Sequence, residues 1–326
     1  MKILLTGASG FVGSHILDRL RHRGLPTVVL LRPSSNRRFI TRHLPEVEVR
    51  SGSVGDPESL RQAMTDITHV IHCAGATKAV RAAGFYEVNQ GGTRNVVAAA
   101  NELRGQVRRL VHISSLAAVG PALPEKPARE EDDPRPVSEY GKSKLAAEME
   151  VRDHCRVEHV ILRPPAVYGP RDEEFLRLFR AVKHHVRPRM SGSQALSLVF
   201  AADLAEAAVT CLTHPAAAGR TYFVAAREVV TARAMADAVA ARMDHWTLPL
   251  PLPAALLWPI CLGHEAWSRL TGKASVLSLQ KFAELRAPGW VCDPARLERE
   301  TGCACATTLK AGIAETLRWY QDRDWL

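Results

Sequence analysis

The most constraining feature of this chain is a glycine pattern that follows an apolar run near residue 1. Residues 4–13 read Leu-Leu-Thr-Gly-Ala-Ser-Gly-Phe-Val-Gly, so that Gly7, Gly10 and Gly13 recur at every third position. Apolar residues at helical spacing come next, which predicts a strand, a tight turn and a helix. Such a turn directs backbone N–H groups and a helix N-terminus at one point, where they attract a pyrophosphate. The pattern predicts a dinucleotide site, and a plain strand-to-helix turn is the alternative.

Each of the three glycines has an expected role that a side chain would obstruct. Gly7 is expected to form the tight turn, and Gly10 to allow the ligand to approach the backbone. Gly13 is expected to let the helix pack closely on the sheet.

Length and composition place the chain among ordinary globular proteins. Its 326 residues suffice for one large α/β unit, or for a domain with a smaller companion. The formal charge of +9 is spread over Arg-rich segments and not gathered in a tail, so nucleic acid is not an expected partner. The 7 cysteines lack the spacing of a disulfide framework or a metal site, so we expect a reducing, cytoplasmic location and no metal.

Neither a secretory signal nor a membrane span is expected. The apolar run at residues 3–5 is too short for a signal and is soon broken by glycine. Residues 248–262 are apolar, but they are fewer than the roughly 20 that a span needs, and prolines interrupt them. Because proline breaks the amphipathic helix that a membrane-surface contact would need, we expect this stretch to line a substrate lobe. Peripheral contact with anionic lipid is the alternative.

Segments of strand and helix character alternate along the first half of the chain. Such alternation predicts an α/β fold with a doubly wound parallel sheet, the Rossmann arrangement, and ligands at the carboxyl ends of the strands. Besides the strand before the glycine turn, strands are predicted at residues 27–32, 47–53, 69–75, 109–115 and 159–165.

A change of pattern after about residue 170 predicts two domains. Residues 1–169 are expected to form the dinucleotide-binding domain, and residues 195–226 are expected to return to it. Residues 170–194 and 227–326 are expected to form a smaller, mostly helical substrate-binding lobe that faces the cofactor.

A tyrosine and a lysine lie four residues apart at the start of a predicted helix. Tyr140 and Lys144 would therefore share one helix face. A nearby ammonium favours the phenolate and lowers the pKa of a tyrosine, which would suit Tyr140 as a general acid or base. A chance occurrence of this spacing is the alternative.

Two hydroxyls at the end of a predicted strand add to this pair. Ser114 and Ser115 end the strand at residues 109–115, upstream of the helix that carries Tyr140. A hydroxyl at that edge, opposite a tyrosine and beside a nicotinamide, would hold the oxygen of a carbonyl or alcohol while a hydride moves. Ordinary strand-end serines are the alternative.

Taken together, these segments resemble the extended short-chain dehydrogenase/reductase family, of the NAD-dependent epimerase/dehydratase type, over nearly the whole chain. The resemblance implies that Ser115, Tyr140 and Lys144 are catalytic, with Ser115 preferred because it lies five residues before Gly120. The other cofactor-binding residues expected on this basis are Gly7, Gly10, Phe11, Val12, Gly13, Ser53, Val54, Ala74, Gly75, Ala76, Tyr140, Lys144, Pro164 and Val167.

The end of the second predicted strand bears on the choice of cofactor. An acidic residue there would bind the ribose hydroxyls of NAD, but this strand ends in Arg32, with Ser34, Arg37 and Arg38 close behind. A guanidinium pairs with a 2′-phosphate and stacks on adenine, so Arg32 and Arg37 favour NADP, with NAD as the alternative cofactor. A solvated basic loop is the alternative structure. Ser53 stands where the family often has an aspartate that meets the adenine amine.

Two apolar positions bear on the substrate. Sugar-nucleotide members of the family tend to hold a diphosphate with an asparagine where this chain has Ala166, and several use an arginine where it has Leu196. A diphosphate against an apolar wall without donors would lose several kcal/mol of solvation. We therefore expect a largely apolar, sterol-, terpenoid- or flavonoid-like small molecule, and simple core packing is the alternative explanation.

The resemblance implies hydride transfer to or from a hydroxyl or ketone of that molecule. It is nearest to sterol/3β-hydroxysteroid dehydrogenase-like, dihydroflavonol reductase-like and hopanoid-associated epimerase-like members. In reduction, Ser115 would orient the carbonyl oxygen, Tyr140 would supply the proton, and Lys144 would lower the tyrosine pKa and bind the nicotinamide ribose. One alternative is a sugar or nucleotide-sugar epimerase or dehydratase with tightly held cofactor. Another is a non-catalytic NADP-binding sensor or scaffold.

The family resemblance also suggests a homodimer. Members of the family often pair through two long helices, here predicted near residues 86–103 and 140–153. Small apolar residues on these helices would allow a four-helix contact between two copies. Burial of the same residues against the sheet is the alternative.

Overall fold

A parallel sheet covered by helices on both faces forms the centre of the molecule. The computed structural model describes residues 1–190, 194–252, 254–272 and 279–326. Its strands are β1 (Ile3–Thr6), β2 (Thr27–Leu31), β3 (Glu48–Ser51), β4 (His69–His72), β5 (Arg109–Ile113), β6 (Glu158–Arg163), β7 (Ala166–Tyr168), β8 (Val186–Met190), β9 (Ala195–Phe200), β10 (Arg220–Phe223), β11 (Val229–Thr231), β12 (Leu248–Leu252) and β13 (Gly289–Trp290). Its helices are α1 (Phe11–His22), α2 (Pro57–Ala63), α3 (Ala82–Tyr86), α4 (Gly92–Glu102), α5 (Glu139–His154), α6 (Glu173–Lys183), α7 (Ala201–Cys211), α8 (Ala232–Met243), α9 (Ala254–Thr271), α10 (Leu279–Arg286), α11 (Ala295–Thr301) and α12 (Leu309–Asp322).

Within the described residues, seven strands build the main sheet in the order β10-β6-β5-β4-β1-β2-β3. Every neighbouring pair is parallel, which confirms the predicted doubly wound sheet. The five strands predicted after β1 are present as β2 to β6, but each ends one to three residues earlier than predicted. The residues beyond these ends leave the sheet because they form the loops at its carboxyl edge.

The strand order places a crevice at the carboxyl ends of β1 and β4. From β1 the chain builds outward through β2 and β3 on one side, and through β4, β5 and β6 on the other. Loops that leave β1 and β4 therefore diverge, and ligands of doubly wound sheets bind at such a point. Alternate residues of β1 anchor the two helical layers. Ile3 and Leu5 pack with α1 and α7, and Leu4 packs with α2 and α4.

A smaller lobe lies beyond β6. Strand β9 pairs with β7, β11 and β13, and strand β8 pairs with β12. Its core is aromatic, with Tyr168, Phe179 and Tyr320 buried together. Residues 195–226 connect the two parts, because β9 belongs to the small sheet, α7 packs on α1, and β10 forms an edge of the main sheet. We propose that residues 1–169 and 195–226 form the dinucleotide-binding domain, and that residues 170–194 and 227–326 form the substrate-binding lobe.

The structure of residues 248–262 differs from the sequence prediction, in which the prolines of this apolar segment exclude a helix. Leu248–Leu252 form strand β12, and Pro259 lies inside helix α9. An interior proline removes one backbone hydrogen bond and kinks a helix, and α9 nevertheless continues past Pro259 to Thr271. In the part of the chain that the structure describes, no helix combines the length and apolarity needed to cross a membrane.

A buried ion pair joins α5 to β6. Arg163 donates two hydrogen bonds to the Glu148 carboxylate, at 2.9 and 2.7 Å, and both side chains are at most 1% exposed. Ser114 donates a third hydrogen bond to the same carboxylate at 2.6 Å. Arg152 also pairs with Glu148, at 3.0 Å, but it is 39% exposed.

These two arginines provide a matched test of the buried pair. Arg163→Met leaves a buried carboxylate without its main partner, so we expect the free energy of unfolding to fall by about 3–5 kcal/mol. Arg152→Ala removes an exposed partner and should cost less than about 1 kcal/mol. Urea unfolding followed by circular dichroism measures both values. Equal losses in the two variants would contradict this account.

Candidate active site

The glycine turn between β1 and α1 leaves no space for side chains at two of its positions. Gly7 has φ +76°, and a Cβ there would lie 2.6 Å from the backbone nitrogen of Ala74. A Cβ on Gly13 would lie 2.0 Å from the carbonyl oxygen of Gly7. At Gly10 the only close atom is the same oxygen, at 3.4 Å. Gly10 precedes α1 without a capping side chain, so the first N–H groups of that helix remain for a ligand.

A cavity of about 1520 Å³ extends from this turn into the smaller lobe. Ligand pockets commonly measure roughly 300–1,000 Å³, so this one has room for a dinucleotide and a second molecule. The predicted site residues that line it are Gly7, Gly10, Phe11, Val12, Gly13, Gly75, Ala76, Ser115, Tyr140, Lys144, Pro164 and Val167. The predicted residues outside its lining are Arg32, Arg37, Ser53, Val54 and Ala74. In the described ranges, no three or more His, Cys, Asp or Glu side chains are grouped to hold a metal ion.

The structure brings Ser115, Tyr140 and Lys144 together at one wall of this cavity. Ser115 follows β5 and caps a short 3₁₀ turn, where its Oγ accepts a hydrogen bond from Ala117 N at 3.1 Å. The Ser115 side chain lies close enough to Tyr140 to influence the pKa of its phenol. Ser114, the alternative serine, is committed to Glu148, which leaves Ser115 as the serine that faces Tyr140.

A glycine that was not predicted as part of the site permits this approach. Gly141 directly follows Tyr140 in α5, and a Cβ there would lie 2.3 Å from the carbonyl oxygen of Ala117. The start of α5 therefore packs against the turn that Ser115 caps. The position of Gly141 between Tyr140 and Lys144 was the only sequence signal for its role, because the close contact with Ala117 depends on the tertiary fold.

Burial shifts the pKa values of the two titratable groups in opposite directions. It lowers the pKa of Lys144 to about 8, while the nearby Glu148 carboxylate opposes the change. Burial raises the pKa of Tyr140 to about 12, against the nearby Ser115 side chain, which lowers it. The tyrosine pKa thus lies above its ordinary value, whereas the sequence predicted a lowered one. Burial dominates, and the Lys144 ammonium donates its hydrogen bond to the Ile113 carbonyl oxygen, at 2.7 Å.

Asn89 holds the loop after β4 against the catalytic helix. Its Oδ1 accepts a hydrogen bond from Ala76 N at 2.8 Å, and its Nδ2 donates to Ala76 O at 3.1 Å and to Ser143 Oγ at 2.8 Å. Asn89 lies in a single π-helical turn, Glu87–Gly91, a distortion that often marks functional sites. The sequence placed Asn89 on a helix but gave no signal for these contacts, because they join three separate segments.

The basic residues after β2 lie at different distances from the cavity. Arg32 and Arg37 are exposed at the carboxyl edge of the sheet and outside the cavity lining. Arg38 lines the cavity, forms an ion pair with Glu173 of α6, and places its guanidinium 4.4 Å from the Phe39 ring centre. Arg38 is the one of these three arginines that the structure brings to the cavity, and it was not among the predicted site residues.

The far half of the cavity is lined by the smaller lobe and is mainly apolar. Ala166 and Leu196, the two positions where sugar-nucleotide members tend to carry polar anchors, both line it. Among the described residues, four carboxylates also line the cavity, those of Asp172, Glu173, Glu174 and Glu284. Glu173 and Glu174 of α6 form ion pairs with Arg38 and Lys78, and Glu284 of α10 accepts a hydrogen bond from Ser138 Oγ at 2.7 Å. Ser138 caps α5 two residues before Tyr140, so Glu284 lies near the tyrosine and acts to raise its pKa. Further apolar side chains of this half are Phe175, Leu178, Leu198, Met235, Leu285 and Trp290.

A Rossmann fold with a glycine turn and a Ser-Tyr-Lys wall defines an NAD(P)-dependent enzyme of the extended short-chain dehydrogenase/reductase class. Residues 3–225 match the NAD dependent epimerase/dehydratase family, and the chain belongs to that family. It is 33% identical to a ceramide reductase of Caulobacter vibrioides, over 99% of this chain and 96% of the relative. It is 30% identical to a UDP-glucose 4-epimerase of Vibrio cholerae, over 84% of each. A crystal structure of the Thermus thermophilus UDP-glucose 4-epimerase with NAD superposes with a TM-score of 0.77 at 25% identity, covering 98% of this chain and 99% of that one.

Gly141 provides a test of the catalytic geometry. Gly141→Ala should force α5 away from Ala117 and misplace Tyr140 relative to Ser115, lowering turnover by about 100-fold. Cofactor affinity, measured by titration calorimetry, should stay close to that of the wild type because the glycine turn is untouched.

The control for this variant is Gly263→Ala, since Gly263 is also helical and a Cβ there meets no atom within 4 Å. That change should stabilise the protein by up to about 1 kcal/mol through helix propensity and leave turnover unchanged. Full turnover in Gly141→Ala would show that the close contact has no part in placing Tyr140.

Proposed function

We propose that the protein is an NADP-preferring reductase that converts a ketone of a long-chain amide lipid, a ceramide-like molecule, to the alcohol. The observation that carries this proposal is the composition of the cavity around Ser115 and Tyr140. Its far half presents apolar side chains of α6, α8, β7 and β9. Among them are Ala166 and Leu196, where sugar-nucleotide members of the family tend to carry an asparagine and, in several, an arginine. Alkyl chains gain free energy from such walls, whereas a diphosphate loses its solvation there.

The similarity to the ceramide reductase supports an amide lipid in particular, because it covers 99% of this chain. A ceramide joins long alkyl chains to a polar centre with an amide N–H and hydroxyl groups. Charged and polar side chains also line the cavity, Glu284 with its Ser138 hydrogen bond among them. We propose that this part of the lining meets the polar centre of the substrate.

In this proposal the three residues of the cavity wall divide the work of a carbonyl reduction. A bound nicotinamide dinucleotide supplies the hydride. Ser115 donates a hydrogen bond to the carbonyl oxygen, and Tyr140 gives that oxygen its proton as negative charge develops. Burial keeps the Tyr140 pKa at about 12, so the phenol is protonated at neutral pH and ready to donate. The Lys144 ammonium stabilises the phenolate that remains.

The dinucleotide fits the residues at the near half of the cavity. Gly10 leaves open the space that a Cβ would fill, and the first N–H groups of α1 face it. For the 2′-phosphate of NADP we propose Arg32 at the end of β2, with Arg37 behind it and Arg38 at the cavity wall. No acidic residue stands between Arg32 and Thr41 to bind a ribose diol in their place.

The second candidate is a sugar or nucleotide-sugar epimerase, and the similarity to the UDP-glucose 4-epimerase of Vibrio cholerae favours it. An epimerase would retain its cofactor through purification and show no net consumption of NADPH. A non-catalytic NADP-binding sensor is less well supported, because the chain keeps Ser115, Tyr140 and Lys144 at one wall.

We also propose a homodimer through α4 and α5. The two helices pack side by side, and the outer surface of α5 carries Met149, which is 52% exposed. A second copy placed against these helices would cover Met149 in a four-helix contact.

Tyr140→Phe tests the proton donor. The change removes the hydroxyl that gives a proton to the substrate oxygen, so reduction of a ceramide with a ketone in its long-chain base should fall by about 10²–10⁴-fold. NADPH consumption measured by absorbance follows the rate. Tyr86→Phe is the matched control, since Tyr86 donates to Glu139 outside the cavity lining and should retain full activity. Retained turnover in Tyr140→Phe would refute the assigned role.

Titration calorimetry with NADP⁺ and then NAD⁺ tests the cofactor. We expect NADP⁺ to bind more tightly, and Arg32→Glu to weaken it by about tenfold or more, because a charged hydrogen bond is lost. Arg104→Glu makes the same charge change at an exposed arginine just after α4 and should leave both affinities unchanged. Equal or tighter binding of NAD⁺ by the wild type would contradict the NADP preference and favour the epimerase.

A further inference from the structure

The smaller lobe has a concentrated exposed apolar surface, which we call the tryptophan face. It consists of Trp246, Leu248, Leu250, Trp258, Leu262 and Trp267. Each of these side chains is between 42% and 66% exposed. They are half of the large apolar side chains that are exposed in the described residues, yet they occupy only 22 consecutive positions, 246–267. Soluble surfaces rarely gather large apolar groups in this way, and such patches mark interaction sites.

The kind of side chain and its arrangement favour a lipid surface. Leu248 and Leu250 share one side of β12, because side chains alternate along a strand. In α9 the buried residues Cys261 and Ser268 form a narrow inner line. Trp258 and Leu262 lie on one side of this line and Trp267 lies on the other, all three exposed. Tryptophan is the residue that concentrates where hydrocarbon meets headgroups, since its ring is apolar and its N–H is polar.

The charge next to this face is positive. Residues 175–202 contain five Lys or Arg and no Asp or Glu. This segment includes β8 and the part of α6 that follows its first two residues, Glu173 and Glu174. Arg187 of β8 is paired with Asp237, and β8 pairs directly with β12 of the tryptophan face. At the junction, Lys183 and His184 are exposed, and His185 stacks on Trp246 with ring centres 4.1 Å apart. Basic groups beside exposed tryptophans complement the negative charge of anionic lipid headgroups.

The same helix that carries the tryptophan face also reaches the cavity. Ser268 of α9 lines the cavity and is buried, whereas the neighbouring Trp267 is 65% exposed. Gly272, just after α9, lines the cavity as well. A membrane seated on the tryptophan face would therefore lie one helix away from the apolar half of the cavity.

We propose that the tryptophan face docks the protein on the surface of an anionic bilayer. The docking itself rests on the exposed side chains and the basic border. Its use, the delivery of a long-chain substrate from the bilayer to the cavity, rests on the proposed function.

Co-sedimentation of the full-length protein with vesicles tests the docking. Vesicles of phosphatidylcholine with phosphatidylglycerol are compared with phosphatidylcholine alone. We expect binding to the anionic vesicles that weakens with salt, and a loss of about tenfold or more when Trp246, Trp258 and Trp267 are all changed to serine. Lys183→Glu should weaken binding to anionic vesicles alone. Val49→Ser, a change of an exposed apolar residue on β3 of the main sheet, is the control and should bind as the wild type does.

A second measurement does not depend on the folding of the triple variant. Brominated acyl chains should quench the tryptophan fluorescence of the wild-type protein on anionic vesicles. Absence of sedimentation and quenching would overturn the docking proposal. So would a shift from dimer to monomer in the triple variant without vesicle binding by the wild type, because the face would then contact a second copy.

Activity separates the docking from the proposed function. With a short-chain, water-soluble keto amide the triple variant should turn over as fast as the wild type, and with the vesicle-embedded long-chain ketone it should be slower by about tenfold. If the wild type binds vesicles but reduces neither ketone, the docking stands and the proposed function fails. If both ketones are reduced without vesicle binding, the docking fails and the function stands.

Discussion

The placement of the candidate catalytic side chains depends on a single buried carboxylate. Glu148 receives two hydrogen bonds from Arg163 of β6 and one from Ser114 at the end of β5, so it fixes α5 over both strands. One turn earlier, Lys144 donates to the carbonyl oxygen of Ile113. A carboxylate and a guanidinium removed from water are costly unless all their partners are present. The helix therefore has one well-defined position, and this position also fixes Tyr140 at its start.

This rigid attachment has an electrostatic consequence at the cavity wall. Lys144 is buried on the same helix face, so its charged form is disfavoured and its pKa falls to about 8. Tyr140 meets the opposite effect, because burial disfavours the phenolate and raises its pKa to about 12. Both pKa shifts favour the uncharged form of the side chain in the resting site. Charge that develops on a substrate oxygen would be met by donors already in place, which is how preorganised sites lower a barrier.

Backbone constraints explain how much the sequence could predict. The turn at Gly7 and Gly13 has one workable geometry, and the alternation of strands and helices determines the sheet, so the nucleotide half of the fold followed from local patterns. The roles of Gly141 and Asn89 could not be found in this way. Each acts through a contact with a segment distant in the chain, and only the assembled fold shows which atoms meet. The helix through Pro259 was also missed, because tertiary context overrides the local preference of proline.

The two halves of the cavity differ in how far local sequence patterns can predict them. The near half is built from main-chain atoms at the ends of parallel strands, so the ligand it accepts follows from the topology. The far half is built from side chains of α6, α8, β9 and α10, which the topology leaves free to vary. Its apolar composition continues outward through α9, where Ser268 faces the cavity and Trp267 faces outward. Helix α9 connects the apolar lining of the cavity with the exposed apolar surface. An alkyl chain would therefore meet apolar side chains both inside the cavity and at that surface. A polar sugar nucleotide would gain from neither, which supports the proposal of a largely apolar substrate.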